Sequence, residues 1–170
     1  MVLHPGHICG PGWPVITPVG NLDPDVWRRL AVGEPVAMPA LGLGVLGHVH
    51  ADDVAQAFEL ALTRPDAIGG SFHVVAEQAM TLRGLAAGVA GWFGREPELD
   101  FVDWAEFERQ AGAEHAQATR EHTVRSIAAS IDRARDVLGY APRYSTVDAL
   151  HEALAWLVAN GQADVGGQEF

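Results

Sequence analysis

Strand-like and helix-like stretches alternate along the first hundred residues of this chain and give way to helices alone after that. Val2 to Cys9 is a short apolar run ended by Gly10-Pro11-Gly12, as expected of a strand entering a loop. A Pro- and Gly-rich loop runs on to Asn21. Asp23-Pro24 then reads as the cap and first-turn proline of a helix carrying Val26, Trp27 and Leu30 and ending at Gly33. Residues 43–50 read as a second strand. Asp52 or Asp53 is expected to cap the next helix, whose apolar face is Val54, Ala55, Ala57, Phe58, Ala61 and Leu62. Residues 71–75 and 99–102 read as further strands, and Thr81 caps a helix through Leu82, Leu85, Ala86, Val89 and Phe93. Residues 104–125 are polar and helical with poor periodicity. Asp132 is expected to cap a short helix stopped at Gly139, and Val147 to Val158 forms the last one.

That order implies an α/β layer followed by a helical cap, with too few strands for a complete doubly wound sheet. Residues 1–170 are expected to pack as one unit. Residues 1–100 should hold most of the α/β layer with some intervening cap elements, residues 101–162 the mainly helical part, and 163–170 a flexible tail.

Composition narrows the partners. A chain that is 48% hydrophobic and 19% charged is globular rather than disordered. Its net charge of −11 argues against nucleic acid and anionic membrane, both of which call for a basic surface. The single cysteine, Cys9, excludes an internal disulfide and fits a reducing cytoplasm. The longest apolar stretch, 35–47, is too short to span a bilayer and is broken by Gly and Pro.

Four segments together resemble the NAD-dependent epimerase/dehydratase family, the extended short-chain dehydrogenases, in that family's order and spacing. His4-Pro5-Gly6-His7-Ile8-Cys9-Gly10-Pro11-Gly12 is similar to Arg-Pro-Gly-x-x-Tyr-Gly-Pro-Gly. The stretch from His48 through Asp52-Asp53 to Ala57 is similar to Phe-Val-x-Val-Asp-Asp-Val-Ala-x-Ala. Gly70 to Val75 followed by Thr81 to Ala86, and Asp132 to Pro142 with its Leu-Gly-Tyr-x-Pro turn, complete the set.

The resemblance implies the C-terminal portion of a Rossmann-type NAD(P)-binding domain with a smaller, mainly helical substrate domain. It also implies a parent enzyme, an epimerase, dehydratase or reductase of a small polar or sugar-like substrate using NAD or NADP. Pro5, Gly6, His7 and Ile8 match positions that pass the nicotinamide end of the cofactor, where a glycine lets backbone approach a flat ring. Arg120, His122 and Arg125 fall where substrate contacts are expected. Leu46 stands where sugar-nucleotide epimerases usually have a phosphate-binding arginine, which weighs against a nucleotide-diphosphate sugar. The family's glycine-rich loop and its Tyr-x-x-x-Lys pair are not in this sequence, which has no lysine and only Tyr140 and Tyr144. The chain alone is therefore expected to be inactive, to bind the dinucleotide weakly or not at all, and to have apolar surface that favours self-association.

Two other readings of the same residues stay open. His48-x-His50-x-Asp52 is similar to the metal-ligand motif of metallo-β-lactamase-type hydrolases, with His4, His7 and Cys9 as further ligand types. A non-catalytic binding module is the third.

Overall fold

The first strand changes neighbours half-way along, and the architecture follows from that change. The computed structural model describes residues 1–170. In it, β1 (Val2–Pro5) pairs in parallel with β6 (Ser71–Val74), whereas β2 (His7–Cys9) pairs in parallel with β5 (His48–His50). Gly6 is the point of exchange. Its amide donates to the Val74 carbonyl, and the next amide, of His7, donates to the Gly47 carbonyl at 2.8 Å. A Cβ on Gly6 would lie 2.3 Å from the Gly47 oxygen, so only glycine lets β5 come this close.

Two further pairs flank this one. The apolar stretch at 35–47 holds a strand that periodicity had not marked: β3 (Val36–Pro39), parallel to β8 (Leu99–Val102). β4 (Val45–Leu46) runs antiparallel to β7 (Met80–Thr81). The strand expected over 43–50 is thus two pieces, β4 and β5, interrupted at Gly47.

The helices are α1 (Asp25–Val32), α2 (Ala51–Leu62), α3 (Leu82–Trp92), α4 (Trp104–Ala111), α5 (Ala113–Thr123), α6 (Asp132–Leu138) and α7 (Thr146–Ala159). Gly33 ends α1 and Gly139 ends α6 in the left-handed region, as their sequences imply. The polar segment 104–125 is two helices, because Gly112, at φ 84°, breaks it.

Three capping expectations change. The cap of α2 is His50, whose Nδ1 accepts the Asp52 amide at 3.1 Å. Asp53 is instead fully buried and holds another loop. Its carboxylate accepts the amides of Arg143 at 2.9 Å and Tyr144 at 3.2 Å. Gln56, one turn on, exchanges two hydrogen bonds with the Ala141 backbone. The Asp132 amide is capped by the Ser130 hydroxyl. The apolar face of α2 is also narrower than expected. Val54, Ala57 and Ala61 are buried, while Ala55, Phe58 and Leu62 are exposed. Residues one position apart point about 100° apart around a helix, so Phe58 and Leu62 turn away from the line through Ala57 and Ala61.

The core forms two clusters that interleave along the chain rather than dividing near residue 100. One gathers Val49, Val54, Ala57, Phe72, Val74, Leu138 and Tyr140, on the parallel strands with α2 and α6. The other joins Cys9, Trp27, Leu30, Met38, Leu85, Phe107, Leu150 and Leu154, under α1, α3, α4 and α7. The chain crosses from one cluster to the other at Gly6 and again between β4 and β5. Residues 163–170 were expected to be flexible, but they lie back on the second cluster. Val165 is buried, and the Phe170 ring stacks on His151 with centroids 4.7 Å apart. No helix is long and apolar enough to cross a membrane.

Candidate functional site

Where β1 passes into β2 the chain opens into a cavity of 760 Å³. Pro5, Gly6, His7 and Gly47 form one wall and β6 the floor. The end of α5, the segment 124–131 and the start of α6 close the opposite side. The sequence places that opposite wall through the buried loop before α1. Thr17 and Asn21 hydrogen-bond each other, and the Asn21 amide donates to the Thr119 hydroxyl of α5. Gly20, at φ 87°, turns its carbonyl toward His122 Nδ1 at 2.7 Å. Because a carbonyl only accepts, that bond puts the proton of a neutral His122 on Nδ1 and leaves Nε2 as its lone-pair nitrogen. Ser126 ties the following segment down. It accepts the Val45 amide and donates to the Thr123 carbonyl.

Three imidazoles step from this cavity into the interior. His7 meets His122 edge-on at 5.2 Å between ring centroids and His48 at 5.7 Å. Burial, and then the neighbouring His122, lowers the pKa of His7 from its usual value. His48 is 1% exposed and neither ring nitrogen has a hydrogen-bond partner. Burial first, and then His7, takes its pKa down to about 3, so it stays neutral. On the floor His4 and His73 face each other across the β1–β6 register, their rings 6.0 Å apart, and His4 Nε2 lies 2.7 Å from the Ser71 hydroxyl.

Of the residues expected at a site, the fold brings Pro5, Gly6, His7, His122 and Arg125 together around this cavity. Ile8 alternates to the other side of β2 and is exposed away from it. Arg120 points into a second cavity of 460 Å³, its guanidinium 4.2 Å above the Trp104 ring. Leu46 is 1% exposed in the apolar core, where no phosphate contact is possible. The sequence reading missed His4, His73, Arg133 and His48 as a group. Sheet register alone sets His4 opposite His73, and no spacing along the chain encodes it.

The residues of the alternative metal motif have separate partners. His48 stands behind His7. His50 caps α2, stacks on Tyr144 at 3.8 Å, and its Nε2 is 2.9 Å from Glu152. Asp52 lies at the surface, 3.7 Å from Arg143. Cys9 is buried, its thiol aimed at the Val49 carbonyl and pushed up to about 12 by burial and then Glu152. These histidines, acids and Cys9 do not converge on a common point.

No protein-family model matches the chain. A chloroplast stem-loop binding protein of 41 kDa from Arabidopsis thaliana is 30% identical over 152 residues, covering 85% of this chain and 39% of that protein. Among solved structures, gox2253 is 25% identical with a TM-score of 0.65, covering 95% of this chain and 50% of its own. UDP-glucose 4-epimerase from Thermotoga maritima, solved with UDP-glucose, is 21% identical with a TM-score of 0.62 over 94% of this chain and 46% of that one. UDP-glucuronic acid 4-epimerase from Bacillus cereus, solved with UDP-glucuronic acid and NAD, is 14% identical with a TM-score of 0.65 over 94% and 45%. The chain thus spans two fifths of the curated relative and about half of each solved structure.

Proposed function

We propose that this chain, which carries the fold of the C-terminal half of an NAD-dependent epimerase/dehydratase family protein, forms one wall of an active site for a small polar, sugar-like substrate. The parent activity in this reading is an NAD(P)-dependent epimerase, dehydratase or reductase, acting in a reducing cytoplasm. The observation that carries it is the cavity in which the Pro5-Gly6-His7 turn faces His122 and Arg125. The turn offers backbone to the flat nicotinamide ring, and the α5 end with the segment after it offers donors and charge to the substrate. A bound dinucleotide would supply the hydride chemistry. This chain's residues orient the nicotinamide end, fill the space under it and hold the substrate against it. His122, with its proton fixed on Nδ1, presents an accepting nitrogen to a substrate hydroxyl. The chain has no Tyr-x-x-x-Lys pair and is proposed to be inactive by itself.

The Arabidopsis relative's name says that it binds a stem-loop. A net charge of −11 disfavours that role here, and a concave, partly apolar cavity favours a small molecule. The test is the reading frame ahead of Met1. A continuation with a glycine-rich dinucleotide loop and a Tyr-x-x-x-Lys pair supports the proposal. An independent stop and promoter there would favour a stand-alone binding module instead.

A further inference from the structure

We propose that the 760 Å³ cavity binds its ligand through an anionic group, a phosphoryl or a carboxylate, and grips it more tightly as the pH falls from 8 to 6. This rests on the small-molecule reading above and adds the charge of the ligand.

The cavity reverses the charge of the molecule around it. The whole chain has 22 acidic residues against 11 arginines. Yet the cavity lining collects His4, His7, His73, His122, Arg125 and Arg133, with Glu121 as its one acid. Five arginines elsewhere, Arg28, Arg29, Arg109, Arg135 and Arg143, are each paired with a carboxylate. Arg125 and Arg133 make no ion pair, and Arg133 lies 5.3 Å over the Phe72 ring with its guanidinium free to donate. Unpaired guanidiniums beside a pocket are suited to a planar or tetrahedral oxyanion. The hydroxyls of Ser71, Ser126 and Ser130 line the same space.

The dependence on pH follows from which groups face the cavity on each element. His4 comes from β1, His7 from β2 with the buried His48 of β5 behind it, and His73 from β6. Glu121 and His122 come from α5, Arg125 from the segment after it and Arg133 from α6. The acids just outside are already engaged. Asp132 accepts from Ser130 and Arg135, and Glu77 pairs with Arg135 at 2.8 Å. His7 and His48 are held neutral by burial. Histidine as a class gains its proton between about pH 8 and 5, and His4, His73 and His122 stand where that charge faces the ligand. Each proton taken up together with the anion strengthens binding by as much as about tenfold per pH unit.

The test is calorimetric titration of the purified chain at pH 6.0 and 8.0 with dimethyl phosphate, D-glucuronate and neutral D-glucose. Both anions keep a constant charge over that range. The expected result is binding of at least one anion, about tenfold or more tighter at the lower pH, with glucose unaffected by pH. Binding of dimethyl phosphate alone identifies a phosphoryl ligand, and binding of glucuronate alone identifies a carboxylate. Arg133→Gln and Arg125→Gln, both at the exposed rim, should each weaken the anion at both pH values. The His4→Gln/His73→Gln double variant should flatten the pH dependence. Circular dichroism at each pH checks folding. Anion affinity no greater than that of glucose, or unchanged by both arginine variants, overturns the proposal. That outcome leaves the family reading intact if the frame ahead of Met1 carries the dinucleotide motifs. Tight anion binding without those motifs would sink the family reading alone.

Discussion

Replacing Asp53 separates two roles that its sequence position allows. As a helix cap, Asp53 would be exchangeable for Asn, which caps as well as Asp, and removing a cap costs about 1 kcal/mol. The structure makes Asp53 a buried clip between α2 and the 141–144 turn. Its two oxygens accept the amides of Arg143 and Tyr144, and the Arg143 guanidinium lies 3.6 Å away. Hydrogen bonds to a charged acceptor are worth about 1.5–3 kcal/mol each, and a buried amide left without a partner costs a similar amount. Asp53→Ala should therefore lose about 3–5 kcal/mol, discounted for partial exposure of the turn, out of a total of about 5–15 kcal/mol. Asp53→Asn keeps one acceptor and sets its NH2 against the other amide, so it should lose about half as much. At a urea slope of about 1–3 kcal/mol per molar, the alanine variant's midpoint should drop by at least about 1 M. Urea unfolding followed by circular dichroism reads this directly. An asparagine variant as stable as the parent, or an alanine variant shifted by no more than a lost cap would cause, would refute the clip.

Two further outcomes follow from the geometry. Gly6→Ala should lower stability by about 1–3 kcal/mol through overpacking, because its Cβ would meet the Gly47 oxygen at 2.3 Å. Gly47→Ala, with nothing within 4 Å of the added carbon, should not, and equal urea midpoints for the two would contradict the strand exchange at Gly6. His48 has a folded pKa of about 3 against an ordinary 6.5, so below 6.5 the unfolded chain takes up a proton that the folded one refuses. Stability should fall on acidification through that window by at most about 1.4 kcal/mol per pH unit from this group. His48→Phe should flatten the slope, and parallel acid profiles for parent and variant would show that His48 is not its source.

The fold class was legible in the sequence because each level pointed the same way. Strand-like runs alternate with capped amphipathic helices, and the glycines at 33 and 139 end helices where they should. The Leu-Gly-Tyr-x-Pro turn also places Tyr140 as a packing aromatic, fully buried with its hydroxyl donating to Val75. What stayed hidden depends on contacts between distant segments. β3 is a strand only because β8 lies beside it, in a stretch whose Gly and Pro content spoke for a loop. The tail packs because α3 and α7 offer Trp92, Phe93 and His151 to Phe170. At the site, a local motif sufficed for the Pro5-Gly6-His7 turn. His122 and Arg125 needed the buried loop at 17–21 to hold α5 over it. Ile8 and Arg120 failed to join because strand alternation and the Trp104 ring send them elsewhere.

The central claim is that this chain is one wall of a dinucleotide enzyme and not a complete site. Dinucleotide affinity in this fold comes largely from a pyrophosphate on a helix N-terminus at a glycine-rich loop, with an acidic residue on the ribose. The Pro5-Gly6-His7 turn would touch only the nicotinamide end. Calorimetric titration of NAD and NADP into the purified, monodisperse chain tests this most directly. The account predicts no saturable binding short of millimolar ligand, and micromolar binding of either dinucleotide would contradict it.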